Sequence, residues 1–201
     1  MVCFCDLPLK FLKDHMDYYG NFGLGLRKSW GIEMKMNPVL YFHDNSSLFN
    51  HIFDAMKLLE NAHTTNWIDI KSITQGILGY LKPYRGISTR NLSEEKTFYN
   101  EREWRYIPDV INKMSAIPFN KRDINQQRKS FNTRIHHYQY NRLRLNINPD
   151  DIKYIIIKDE KHKSTMVNHL ADIYKKPSDA NLINMLEEKI ISKTEILNSS
   201  S

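Results

Sequence analysis

The sequence predicts an α+β fold with a mixed central sheet, and three observations carry that prediction. Segments of helical period and of strand period interleave along the chain without the regular alternation of a parallel α/β fold. A content of 41% hydrophobic and 26% charged residues over 201 positions suits one domain spanning 1–201 with a buried core. The third is Phe98-Tyr99-Asn100-Glu101-Arg102-Glu103-Trp104-Arg105-Tyr106-Ile107-Pro108, an aromatic-rich strand pattern that Pro108 ends.

Taken in order, Val2 to Cys5 is an apolar run suited to a buried strand. Asp6-Leu7-Pro8 turns it into a helix reaching about Tyr19, with Leu9, Leu12, Met16 and Tyr19 at helical spacing. Gly20-Asn21 stops that helix. Phe22 to Arg27 reads as a second strand, where Gly23 and Gly25 leave one face bare for another backbone or a ligand. Ser29 to Met36 suggests a short helix and Pro38 to Phe42 a third strand. Ser46 can cap a helix whose apolar stripe is Leu48, Ile52, Phe53, Met56 and Leu59. Trp67 to Leu81 follows as a second helix. Both together make a two-helix insertion over about 46–82.

A turn-rich loop from Lys82 to Ser93 leads into the central stretch. Residues from about 109 to 142 are polar and basic, with sparse apolar positions, and predict a loop or a loosely held helix. Arg142 to Ile147 alternates as a strand, and Lys153 to Lys158 forms another around Tyr154-Ile155-Ile156-Ile157. Glu160 to Tyr174 is helical, and Pro177-Ser178-Asp179 separates it from a helix starting near Ala180. Ile190-Ile191 suggests a last edge strand, and 197–201 should fray.

Charge narrows the function classes. The net charge is +6, and Lys121 to Arg144 holds seven basic residues against one acid, Asp123. The rest of the chain is neutral, at 22 basic and 22 acidic residues. A gathered basic segment points to a polyanion. Within it, Arg128, Lys129, Arg134, His136, His137, Tyr138, Arg142 and Arg144 interleave cations with rings, the combination that neutralises phosphates and stacks on bases of single-stranded nucleic acid. A solvated basic loop and a docking surface for an acidic protein partner fit the same residues. No apolar run approaches the roughly 20 residues needed to span a bilayer, so no membrane partner is expected. The start shows no secretory pattern, and the cytoplasm is the expected location. Cys3 and Cys5 lie too close in sequence for a structural disulfide, and no metal site is expected from them.

Phosphate-loop, zinc-protease and serine-hydrolase motifs are absent from the sequence. Alternation places Glu101, Glu103 and Arg105 on one strand face. That pattern suits a solvated sheet surface with cross-strand pairing, or a polar cleft in which Glu103 and Glu101 are catalytic carboxylates that hold a ribose hydroxyl and steady an oxocarbenium-like transition state.

Three early blocks resemble those that open the AbiGi-type abortive-infection proteins: Val2-Cys3-Phe4-Cys5-Asp6-Leu7-Pro8-Leu9, Tyr19-Gly20-Asn21-Phe22-Gly23-Leu24-Gly25-Leu26-Arg27-Lys28-Ser29-Trp30-Gly31 and Asn37-Pro38-Val39-Leu40-Tyr41. Lys82-Pro83-Tyr84-Arg85-Gly86, the central stretch and Asp150 to Ile157 resemble later blocks, in the same order. The resemblance implies a bacterial phage-defence protein, the antitoxin half of a two-gene system whose toxin resembles a nucleotidyltransferase. Family members carry a preceding segment, with a strand holding a His-x-Thr-like motif, before the Cys-Phe-Cys block; if such a strand forms half of a nucleotide site, this chain is expected to be truncated or to have lost that chemistry. Glu101-Arg102-Glu103 also resembles the Glu-x-Glu motif of arginine-specific ADP-ribosyltransferases. That second resemblance implies an ADP-ribosyltransferase-like fold, NAD as cofactor with Tyr84 and Arg85 beside it, Glu103 contacting NAD and Glu101 serving the acceptor. Two functions therefore stand: an antitoxin that binds nucleic acid or a toxin partner through its basic segment, and an NAD-using transferase.

Overall fold

The computed structural model describes residues 1–44, 46–61, 76–87, 94–107 and 144–198. Along the chain these form β1 (Val2–Cys5), α1 (Leu12–Tyr19), β2 (Gly23–Leu26), α2 (Lys28–Glu33), β3 (Asn37–Pro38), β4 (Leu40–Phe42) and α3 (Ser47–Asn61). There follow β5 (Leu81–Pro83), β6 (Arg85–Ile87), β7 (Glu95–Thr97), β8 (Glu103–Tyr106), β9 (Ile152–Ile157), α4 (Lys163–Ile173), α5 (Ala180–Glu187), β10 (Ile190–Ser192) and α6 (Lys193–Asn198). The class is α+β. The described strands fall into small sheets, β1-β8-β3, β10-β9-β2, β4-β5 and β6-β7, in place of one central sheet.

The chain divides into two compact units. One comprises Cys5–Lys35 and Asn146–Ser201. Its organising element is β9, whose run of isoleucines is the pattern of a strand covered on both faces. Ile155 packs with Leu170 of α4 and Leu186 of α5. Ile156, pointing the other way, packs with Leu12 and Met16 of α1 and Ile196 of α6. Burying each such side chain stabilises the unit by about 1.5–3 kcal/mol. β10 pairs with β9 in parallel and β2 pairs antiparallel, so the expected edge strand at Ile190-Ile191 is present as Ile190–Ser192. β2 lies against the backbone of β9, with Gly23 opposite Ile156 and Gly25 opposite Tyr154. A Cβ at Gly25 would meet Tyr154 Cδ2 at 3.1 Å, so the glycine makes room for that ring.

Two expectations in this unit are corrected. Residues 144–148 form no strand, because side chains take their backbone groups. Trp30 Nε1 donates to the Asn146 carbonyl at 2.9 Å, and the Asn148 N–H donates to Asp151 Oδ2 at 2.9 Å within a capping box. The last helix also reaches further than expected, since α6 continues to Asn198. Ser192 Oγ accepts from the Glu195 N–H at 3.1 Å and Glu195 Oε2 accepts from the Ser192 N–H at 2.7 Å, a reciprocal cap on the first turn.

The other unit comprises Met1–Phe4 and Met36–Leu145. The expected strand over 38–42 is two strands, broken at buried Val39, with β3 antiparallel to β8 and β4 parallel to β5. Ser46 caps α3 by accepting from the Phe49 N–H at 3.2 Å. The stripe of α3 is turned from the expected one: Leu48 is exposed, and Phe49 takes its place by stacking between Phe42 and Phe53. The supposed loop after Lys82 contains β6, antiparallel to β7. Most of the expected helix over 67–81 and nearly all of the polar segment over 109–142 lie outside the described residues, as do residues 199–201.

Candidate functional site

The central stretch is a strand only in part. Phe98–Glu101 is a turn of 3-10 helix, Arg102 is left-handed at φ 46°, and β8 begins at Glu103. A side chain in the left-handed region is uncommon. Here it joins the turn to the strand, and Glu101 and Glu103 still converge on one partner. That partner is Lys82 of β5, whose Nζ donates to Glu101 Oε2 at 2.5 Å and to Glu103 Oε2. Lys96 of β7 binds Glu101 Oε1 at 2.7 Å, and Arg105 Nε binds Glu103 Oε1 at 2.6 Å. Arg105 also donates from Nη1 to the carbonyls of Gly79 and Leu81.

These are interior groups. Glu101 and Glu103 are 6% and 7% exposed, which excludes the solvated-face reading of the pair. Burial alone would push the Glu103 carboxyl up, but hydrogen bonds from Arg105, Cys3 and Lys82 outweigh it and hold the group down at about 2. Burial likewise disfavours the Lys82 ammonium, and its hydrogen bonds to Glu101 and Glu103 reverse the sign, so it is raised. Cys3 is exposed as a residue, yet its sulfur leans on Glu103. Partial burial, then the hydrogen bond to that carboxylate, pushes the thiol up to about 11.

Beside this network runs a ladder of tyrosines. The Glu103 N–H donates to Tyr41 Oη at 2.9 Å, Tyr41 meets Tyr99 edge-on at 5.3 Å, and Tyr99 stacks on Tyr84 at 5.6 Å. Tyr84 opens onto a hollow of about 540 Å³ that Arg85, His43, Asp44 and Glu95 also line. Tyr84 and Arg85 are thus brought together at a cavity, whereas Glu101 and Glu103 lie in the network and do not line it. Of the residues expected to bind nucleic acid, Arg144 is described and exposed. Arg128, Lys129, Arg134, His136, His137, Tyr138 and Arg142 lie outside the described residues. Among the described residues no group of three or more His, Cys, Asp and Glu is placed to hold a metal ion. No helix among them is long and apolar enough to cross a membrane. Lys82, Lys96 and Tyr41 were not singled out from the sequence; strand alternation names a shared face but not the neighbours that arrive across it.

The family model for the abortive phage resistance protein AbiGi, described as an antitoxin, matches residues 1–158. The chain belongs to the AbiGi family. The abortive phage resistance protein AbiGi of Lactococcus lactis subsp. cremoris is 28% identical over 190 residues, covering 85% of this chain and 76% of the relative. No solved structure matches the chain. The AbiGi match takes in β1 to β9 and with them the whole ion network and the tyrosine ladder.

Proposed function

We propose that this AbiGi-family chain is an antitoxin that works by binding, and that its basic segment is the contact surface for single-stranded nucleic acid. The observation that carries the reading is the charge: residues 121–144 hold the entire net surplus of the chain, and aromatic and histidine rings are interspersed among the cations. In this reading Glu101 and Glu103 are structural anchors, since each of their four oxygens already accepts from a lysine or an arginine. No observation favours transfer of ADP-ribose from NAD. The antitoxin description of the family implies a toxin partner, and an acidic surface on that partner is the competing ligand for the same segment.

The test is fluorescence anisotropy of a labelled single-stranded oligonucleotide with the wild-type chain and with the fourfold variant R128Q/K129Q/R134Q/R142Q. The variant should bind at least about tenfold more weakly. Equal affinities would remove the basic segment from the account. Loss of toxin capture in the fourfold variant, with oligonucleotide binding intact, would assign the segment to the protein partner instead.

A further inference from the structure

The hollow beside Tyr84 is chemically unlike the basic segment. Arg85 is balanced there by Asp44 and Glu95, so the cavity is poorly suited to phosphate itself. Its volume, about 540 Å³, is that of a small-molecule site. Tyr84, a residue 40% exposed, forms one wall, and its ring is backed by Tyr99 and behind it Tyr41. Backbone hydrogen bonds hold the platform: the Tyr84 N–H donates to the Phe42 carbonyl at 2.7 Å, and the Tyr99 N–H donates to that of Tyr84 at 3.2 Å. A planar ring can stack on such a surface without first ordering it.

We infer that this hollow takes a guanine base from a single strand, stacked on Tyr84 and read by Arg85 and Glu95 together. Guanine alone among the bases sets an acceptor pair, O6 and N7, beside a donor pair, N1–H and N2–H. Arginine matches the first, and a carboxylate, which only accepts when ionised, matches the second. Arg85 and Glu95 already stand side by side, with Arg85 Nε 3.5 Å from Glu95 Oε1 and both side chains more than half exposed. A loose exposed pair contributes little on its own, so re-forming it around O6 and N1–H is cheap. Asp44, which lines the same hollow, adds a second carboxylate there. Adenine would turn its N1 lone pair toward the carboxylate and its amine toward the guanidinium. Gly86 lets the cavity wall lie close to Phe98, since a Cβ there would meet Phe98 Cε2 at 3.1 Å.

This site rests on the nucleic-acid reading but not on the basic segment, so the two can fail separately. The probe is a thymine pentamer whose central base is guanine, hypoxanthine or adenine, bound to the full chain. The guanine pentamer should bind about tenfold or more tightly than the adenine one, with hypoxanthine, which lacks the N2 amine, between them. Tyr84→Ala should weaken the guanine complex about tenfold, while Tyr84→Phe keeps it. Glu95→Gln should shrink the preference for guanine over adenine, by weakening guanine binding and strengthening adenine binding, since an amide no longer repels the adenine N1 lone pair. Equal binding of the three pentamers to the wild-type chain, or a guanine preference in Glu95→Gln as large as in the wild-type chain, would overturn the site and leave the basic-segment reading standing. Binding of no pentamer at all would overturn both.

Discussion

Lys82 is the residue on which the ion network turns, since among the described residues it alone bridges Glu101 and Glu103. Replacing it with methionine leaves two buried carboxylates facing each other, and the cost of breaking such a pair from one side is about 3–5 kcal/mol. Urea denaturation of Lys82→Met should show that loss, and Lys82→Arg, which keeps the charge, a smaller one. The pH dependence follows from Glu103. Its carboxyl is held at about 2 in the folded chain against 4.5 for the free group, so the stabilisation is complete above pH 4.5 and is lost as the pH falls through that interval. A midpoint of urea unfolding that does not fall on acidification in wild type more than in Glu103→Gln would contradict this. Cys3 behaves oppositely: its thiol is raised to about 11, so at pH 8 it should alkylate more slowly than a free thiol, and faster in Glu103→Gln than in wild type. The carboxylate pair was visible in the sequence because alternation marks it. Lys82 was hidden because nothing local says that β5 will lie beside β8.

At the scale of elements, local signals carried most of the fold where they were complete. The unbroken run Tyr154-Ile155-Ile156-Ile157 marked β9, and Ser46 marked the start of α3. Arg142 to Ile147 misled because alternation is necessary but not sufficient: the carbonyl of Asn146 is claimed by Trp30, a residue far off in the chain. The final helix was legible and was missed. Ser192-x-x-Glu195 is a capping-box spacing, and the carboxyl of Glu195 is lowered first by the Ser192 backbone hydrogen bond and then by its hydroxyl. Ser192→Ala should therefore cost about 1 kcal/mol, within a range of roughly 0.5–2, read as a drop in thermal midpoint. Gly25→Val should also destabilise, because Tyr154 Cβ lies 3.2 Å from the position of any added Cβ and cannot swing away. If Gly25→Val unfolds at the wild-type temperature, the packing described for β2 on β9 is wrong.

For the whole molecule, composition said more than topology. Counting residues located the surplus charge in one segment and the resemblance of whole blocks pointed to the family, while the division into small sheets depended on long-range pairings that no local pattern specifies. The central claim is that this AbiGi-family chain binds a polyanion with the segment between Lys121 and Arg144. Counterion release measures that claim most directly. With roughly six phosphate contacts, affinity for a labelled single strand should fall about a thousandfold between about 50 and about 200 mM salt, with a slope that flattens in R128Q/K129Q/R134Q/R142Q. An affinity indifferent to salt, or the same steep slope in the fourfold variant, would contradict it.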